Sequence, residues 1–395
     1  MKALVIAPQP FFSPRGTPFS VYYRTLVTAE LGVQVDLLTY GEGQDVEING
    51  VHIIRIPQFR FLGSVKVGPS FLKAFLNVFL FLWTVALLIR NRYKYVHAHE
   101  EAVFFCLLLK PLFRFKLVYD MHSSLPQQLI NFQFTKSRLL IGAFQILEKA
   151  SLRACDAVIT ICPDLAQYAL SLMDDSSKHF MIENSIFDPV RLLKPAQPPF
   201  TLGGEPTDVE LHMPEGSLPI IYAGTLEPYQ GIDLLLRAFP MVRDGVPEAF
   251  LLIVGGSSGQ VAHYSLLARE LGIDSACVFT GRVSPSLAKD YCARAQVLVS
   301  PRIQGTNTPL KIYEQLASGT PLVATDIYSH TQVLDNNVAF LAKPTPEDLS
   351  QTIITAITGE AERNRKVDAA QCLYTRKYSR SVYLSKMRRL LEELD

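Results

Sequence analysis

A chain of 395 residues exceeds what one hydrophobic core ordinarily organises, so two domains are expected. Its 38 basic and 37 acidic side chains leave a net charge of +1, which gives no support to nucleic-acid binding. A hydrophobic content of 48% with positive mean hydropathy favours large cores or a membrane-facing surface. The cysteines Cys106, Cys155, Cys162, Cys277, Cys292 and Cys372 are scattered, mostly within apolar runs and without metal-ligand spacing. They read as buried thiols in a reducing compartment. Met1 to Ile6 passes directly into a strand followed by Pro8, which is not a secretory signal pattern.

In chain order, Ala3 to Ala7 is a short apolar run of the buried parallel-strand kind. A loop from Pro8 to Pro18, containing Arg15 and Gly16, leads to a helix from about Phe19 to Leu31 and a strand from Val33 to Thr39. This is a βαβ unit whose loop lies at the carboxyl end of the first strand, where ligands sit in open α/β sheets. Val51 to Ile56 is another strand. Phe71 to Ile89, the most apolar segment, just reaches the length of a bilayer span and is followed by Arg90, Arg92 and Lys94. Lys73 and Asn77 interrupt it, so a buried or interfacial helix is expected rather than a span. Val103 to Phe115 carries Lys110, Arg114 and Lys116 amid Leu and Phe, and the two stretches could form a basic, apolar face resting on an anionic membrane or could simply pack under a sheet.

Strands follow at Tyr95 to Ala98, Lys116 to Asp120, Asp156 to Ile161 and Phe180 to Glu183. His97 and His99 have the spacing of one strand face, as metal ligands sometimes do; no third ligand is identifiable, which favours acceptor-side positioning or packing. Residues 189–218, rich in Pro, Gly and polar side chains, read as a hinge with an insertion between an N-terminal domain over 1–188 and a second domain over 219–372. In that second domain strands at Ile220 to Ala223, Phe250 to Val254, Cys277 to Thr280 and Gln296 to Ser300 each enter a Gly-containing or polar loop, the first of them opening on Gly224. The pattern is that of a parallel sheet with its ligand site along the carboxyl edge. Arg363 to Leu394 reads as helical, with residues 373–395 as a terminal helix.

The most informative stretch is Ser300 to Asp326, S-P-R-I-Q-G-T-N-T-P-L-K-I-Y-E-Q-L-A-S-G-T-P-L-V-A-T-D. Thr308 suits an N-cap and Pro309 a first helical position, Gly319 ends the helix in a left-handed turn, and Leu322 to Thr325 is a strand. The loop Gly305, Thr306, Asn307, Thr308 before a helix N-terminus is built to hold an anion such as phosphate. Glu314, one turn on from Lys311, lies on the side of the helix able to face a ligand held there.

These residues resemble the C-terminal donor-site element of retaining GT-B glycosyltransferases of family 4, whose pattern is Glu, seven residues, Glu, then small residues, Gly and Pro. The resemblance extends over nearly the whole chain and implies an α/β GT-B fold, with two Rossmann-like parallel-sheet domains facing across a cleft and the terminal helix crossing back to the first. It implies transfer of a hexosyl group with retention from a UDP- or GDP-linked sugar to a carbohydrate or other acceptor, and the hydrophobic first domain suggests that the acceptor is lipid-linked. Glu314 falls where the family holds the nucleotide ribose, and Thr306 where it has the glutamate that holds the donor sugar. The arginine and lysine that usually follow the first strand of the second domain read Thr225 and Gln230. An active enzyme should replace those charges, and Lys311 and Arg302 are the available substitutes for contacting the diphosphate. His122 falls where the resemblance places a histidine that touches the donor sugar, and Gly16 and Gly224 fall in loops that approach the donor.

The catalytic candidates are therefore His122 and Glu314. The donor-binding candidates are Gly16, Gly224, Arg302, Gly305, Thr306, Asn307, Thr308, Lys311 and Glu314. No Asp-x-Asp motif is present to hold a metal through the diphosphate, so neither metal nor cofactor is expected. The expected location is cytoplasmic, peripheral on the inner face of the membrane. The missing charges at Thr225, Gln230 and Thr306 support one rival, a non-catalytic GT-B binding subunit; a second rival is another GT-B chemistry of the epimerase or phosphorylase type.

Overall fold

The structure, a computed structural model, describes residues 1–13, 16–59, 63, 65, 70–131, 137–184, 187, 190 and 213–395. Arg15, Ser185 and most of the hinge expected over 189–218 lie outside the described residues. The chain divides into two compact units, Met1–Phe200 with Arg380–Asp395, and Thr201–Ser379.

In the first unit the apolar runs become strands β1 (Lys2–Ala7), β2 (Gln34–Thr39), β3 (Val51–Arg55), β4 (Tyr95–His99), β5 (Lys116–Met121), β6 (Ala157–Thr160) and β7 (His179–Met181). They form one parallel sheet in the order β3-β2-β1-β4-β5-β6-β7. The order reverses between β1 and β4, the switch point of an open doubly wound sheet. Leu4, Val5, Ile6 and Ala7 are buried because helices cover both faces, which is why the strand reads as a continuous apolar run. Helix Gly16–Glu30 begins three residues before the expected Phe19.

Helix Phe71–Arg90 is capped by Ser70, whose hydroxyl accepts from the Lys73 amide at 3.2 Å. It buries the i, i+4 stripe Leu76, Leu80, Thr84, Leu88. Two of its polar residues are hydrogen-bonded within the fold: Thr84 donates to the Leu80 carbonyl at 2.7 Å, and Asn77 accepts from the Tyr40 hydroxyl at 2.7 Å and donates to Glu101 at 3.3 Å. The opposite face is open, with Phe71 at 84% and Ile89 at 70% exposure. This helix is long and apolar enough to cross a membrane by length and composition. Its neighbour Ala102–Phe113 exposes Leu108 and Leu112, and Arg138–Ala154 exposes Leu139 and Ile146.

The expected continuous helix over Arg363 to Leu394 is broken: Glu360–Lys377 ends at Tyr378, and Arg380–Glu393 begins again after Ser379. The second piece buries Tyr383, Met387, Leu390 and Leu391 in the core of the first unit and pairs Arg380 with Glu30 at 2.6 Å. Cys106, Cys155, Cys162 and Cys277 are buried as expected, whereas Cys292 is half-buried and Cys372 exposed, because helix Glu360–Lys377 has few apolar positions and turns that residue outward.

The second unit holds β8 (Leu218–Ala223), β9 (Ala249–Val254), β10 (Cys277–Gly281), β11 (Val297–Ser300), β12 (Leu322–Thr325) and β13 (Phe340–Ala342). These pair in parallel in the order β10-β9-β8-β11-β12-β13, with the switch point between β8 and β11. Two features that the sequence reading passed over are β13 and helix Pro346–Thr358, the latter capped by Thr345. Leu349 and Ile353 on that helix pack into the same core as Leu235 and Phe239 of helix Ile232–Gly245.

Candidate active site

At the switch point of the second sheet, the loops after β8 and β11 are fitted to each other backbone to backbone. The Ile303 amide donates to the Tyr229 carbonyl at 3.0 Å. Gly231, at φ +73°, lies so close that a Cβ there would stand 2.0 Å from the Pro301 carbonyl oxygen. Gly224 is held likewise: a Cβ would meet the Tyr222 hydroxyl at 2.9 Å, and that hydroxyl donates to the Thr225 carbonyl at 2.6 Å.

The Gly305 to Thr308 loop closes over Arg302. The guanidinium donates to the Gln304 carbonyl at 2.6 Å and the Asn307 carbonyl at 3.3 Å, and Gly305 takes φ +121° with no room for a Cβ beside that guanidinium. Burial lowers the Arg302 pKa, and its charge rests over the Tyr229 ring, 5.2 Å from the centroid. Thr306 is exposed; its carbonyl accepts from the Gln332 side chain.

The expected helix start is corrected. The helix runs Lys311–Ala317, its N-cap is Leu310, and Thr308 makes no cap bond. Its first-turn bonds are instead short-span ones from Ile312 to the Pro309 carbonyl at 3.0 Å and from Tyr313 to the Leu310 carbonyl at 3.3 Å. The Thr308 hydroxyl makes no hydrogen bond, and the chain enters the helix through the tight turn at Pro309 and Leu310, so the regular helix starts beyond the expected cap. A seven-residue helix does not make an anion site by its N-terminus alone, so any affinity for phosphate must come from side chains.

Those side chains are present and unsatisfied. The Lys311 ammonium is buried with no hydrogen-bond partner, as is the Thr308 hydroxyl. Lys311 Nζ stands 4.0 Å from the centroid of the Tyr222 ring. Burial, reinforced by the nearby Arg302 charge, pulls its pKa from 10.5 to about 7. Glu314, one turn on, remains open to solvent, yet enough protein surrounds its carboxyl to push its pKa upward. Behind the loop, buried His330 bridges β11 and β12, meeting Ser300 Oγ at 3.0 Å and the Thr325 carbonyl at 2.8 Å. The structure thus brings Gly224, Arg302, Gly305, Asn307, Thr308, Lys311 and Glu314 to one edge of the second sheet, with Thr306 at its rim. Where the resemblance expects two cations, Gln230 donates to the Thr225 hydroxyl at 3.5 Å.

His122 and Gly16 belong to the first unit. Gly16 is the first residue of its helix, with open space where a Cβ would stand, so no backbone approach there demands glycine. His122, 4% exposed, follows β5 and faces His99, the two rings stacked with Nε2 and Nδ1 3.1 Å apart. His97 and His99 do face one side of β4, and the third member that the sequence did not reveal is Asp120: the ligand atoms of the three lie within 4.8 Å of one another. Asp120 Oδ2 accepts from Arg24 Nε and from His97 Nε2, each at 2.9 Å. A cation at this carboxylate would face the buried guanidinium, so the set is better suited to an internal ion pair than to a metal. Burial alone would raise the Asp120 pKa, but Arg24, His122 and His99 bring it well below the carboxylate range. Burial lowers His99 strongly and His122 to about 4, so both rings are neutral at physiological pH.

Residues 25–184 match the family described as Glycosyl transferase 4-like domain, and residues 207–371 match Glycosyl transferases group 1. Sucrose-phosphate synthase of Thermosynechococcus elongatus superposes with a TM-score of 0.74 at 18% identity, covering 100% of this chain and 98% of that one. The chain is a group 1 glycosyltransferase family member with the GT-B fold. Another GT-B structure, Anabaena HepE in complex with UDP-glucose, superposes with a TM-score of 0.66 at 13% identity over 100% of this chain and 99% of that one. Among curated relatives, a phosphatidyl-myo-inositol mannosyltransferase of Mycobacterium tuberculosis is 31% identical over 179 residues, 42% of this chain and 44% of the relative. In such matches the chain spans less than half the length of the curated relative.

Proposed function

We propose that this GT-B chain transfers a hexosyl group, with retention, from a UDP- or GDP-linked sugar to an acceptor that is carbohydrate or lipid-linked. The observation that carries the reading is the buried, unpartnered Lys311 ammonium, with the unpartnered Thr308 hydroxyl three residues before it in the chain, at the carboxyl edge of the second sheet. Leaving such groups unsatisfied costs about 1–3 kcal/mol each, more for a charge, and an anionic ligand would recover that cost. Lys311 and the Gly305 to Thr308 loop would hold the diphosphate, Glu314 the ribose hydroxyls and His122 the donor sugar. As the bond between the anomeric carbon and the diphosphate oxygen breaks, its electron pair leaves on the diphosphate. The acceptor hydroxyl oxygen bonds to the anomeric carbon and passes its proton to the departing diphosphate, and the buried Lys311 ammonium opposes the negative charge that grows there. The reading calls on no metal, because its cations are side chains.

A HepE structure carrying UDP-glucose supports a nucleotide-sugar donor, and a relative named for phosphatidyl-myo-inositol supports a lipid-linked acceptor. The exposed apolar residues of helices Phe71–Arg90 and Ala102–Phe113, with Arg90, Arg92 and Arg114 exposed at or just beyond their ends, suit peripheral docking on the cytoplasmic face of an anionic membrane.

The test is calorimetry of UDP, GDP, UDP-glucose and GDP-mannose against wild type and Glu314→Ala, followed by turnover assays. Binding of one nucleotide that weakens roughly ten- to a hundredfold in the variant is expected from lost ribose contacts. If nothing binds, the donor reading is wrong. Binding without turnover would favour the non-catalytic subunit, which the uncharged Thr225, Gln230 and Thr306 make a definite second reading.

A further inference from the structure

Both cations of the candidate diphosphate site lack a carboxylate. Among the described residues neither Lys311 nor Arg302 forms an ion pair, and each instead rests on a tyrosine ring: Lys311 Nζ is 4.0 Å from the Tyr222 centroid, and the Arg302 guanidinium carbon is 5.2 Å from that of Tyr229. The two rings come from opposite ends of one connection. Tyr222 is the fifth residue of β8 and fully buried; Tyr229 lies in the turn after it, 41% exposed. Tyr222 also reaches the turn with its hydroxyl, which holds the Thr225 carbonyl at 2.6 Å.

The chemistry of the choice matters. A carboxylate partner would neutralise the cation and compete with an incoming diphosphate for it. An aromatic face attracts a cation through its quadrupole and fixes its position without taking its hydrogen-bond donors. The Lys311 ammonium keeps all of its donors, whereas Arg302 spends Nε and one terminal nitrogen on the Gln304 and Asn307 carbonyls. This is a way to supply positive charge to a site whose usual arginine and lysine positions hold Thr225 and Gln230.

We propose that Tyr222 and Tyr229 are positioning residues of the diphosphate site, their rings holding Lys311 and Arg302 in place as anion-binding cations. The inference rests on the nucleotide-sugar reading above. It predicts a loss confined to phosphate recognition, which a tyrosine that merely filled core volume would not produce.

The experiment measures affinity for UDP and GDP, with uridine and guanosine as phosphate-free controls, in wild type, Tyr222→Leu, Tyr229→Leu and Lys311→Met, and in the double variant Tyr222→Leu/Lys311→Met. Tyr222→Leu should weaken the diphosphate about tenfold, the scale of a desolvated cation–π contact, and Tyr229→Leu, whose ring is partly exposed, about two- to fivefold, each leaving the nucleoside unchanged. In the Lys311→Met background, Tyr222→Leu should cost nothing further, because the ring then has no cation to hold. Equal weakening of nucleoside and nucleotide, no weakening, or full additivity in the double variant would each overturn the proposal. Tyr222 is a core residue whose replacement could unfold the unit; Tyr229→Leu, at an exposed turn, carries the same test without that risk. If wild type binds neither nucleotide, the nucleotide-sugar reading itself has failed and the proposal falls with it, a result distinct from normal wild-type binding with insensitive tyrosines.

Discussion

Lys311→Met should stabilise the ligand-free protein at neutral pH while weakening its affinity for a nucleotide diphosphate about ten- to a hundredfold. Methionine fills a similar volume without an ammonium to bury. The structure lowers the Lys311 pKa from 10.5 to about 7. Between those values the unfolded chain binds the lysine proton and the folded chain does not, so stability climbs as pH rises from about 7 towards 10. At about 1.4 kcal/mol per pH unit the full penalty, present below pH 7, is at most about 5 kcal/mol, and relaxation with water entry reduces it to about 2–3 kcal/mol. Urea unfolding followed by circular dichroism at pH 7 and pH 9.5, in wild type and variant, isolates the term because every other titrating group is common to both. Wild type should gain stability relative to the variant between the two pH values, and the variant should be the more stable at pH 7. Parallel behaviour of the two proteins, or a variant less stable than wild type at pH 7, would refute the claim that a buried, unsatisfied ammonium is kept there for a ligand.

In the first unit, Asp120→Asn should cost about 3–5 kcal/mol in urea melts, because it strands Arg24 in a core where the pair is wholly buried, and adding Arg24→Met should restore most of the loss. Gly231→Ala forces a side chain against the Pro301 carbonyl at positive φ; it should destabilise by about 2 kcal/mol and, by parting the two loops, weaken nucleotide binding in calorimetry. Since burial holds His122 near 4, the pH profile of any transferase activity should show no histidine inflection between pH 5 and 8, and one that vanished in His122→Asn would contradict this. Phe75→Glu/Leu82→Glu, two exposed positions on helix Phe71–Arg90, should abolish flotation with anionic vesicles and leave nucleotide affinity intact; unchanged flotation would remove that helix from the membrane contact.

The architecture was legible because parallel strands buried on both faces write themselves as short apolar runs: Ala3 to Ala7, Ile220 to Ala223 and Leu322 to Thr325 were each placed within two residues of their observed ends. Strand β13, three residues long, carries too little pattern to announce itself, and the start of helix Lys311–Ala317 was misplaced because Thr308-Pro309 has the chemistry of a cap while its loop is pulled down onto Arg302 by tertiary bonds. The candidate site was legible as a list of residues, and Lys311 in particular could be picked out as a replacement cation from the absence of charge at Thr225 and Gln230. What one dimension could not supply was the agent that holds it. Tyr222 lies 89 positions from Lys311 along the chain, on a different strand, and reads in sequence as one more apolar residue of β8. The same limit hid Asp120 behind His97 and His99: β4 and β5 are neighbours in parallel register, with His99 opposite Asp120, and only that pairing turns two separate motifs into one buried charge network with Arg24. In both units, then, the sequence displays the ionisable groups, and the sheet register decides which of them is neutralised and which is left free for a ligand. Asp120 finds its guanidinium; Lys311 finds only a ring.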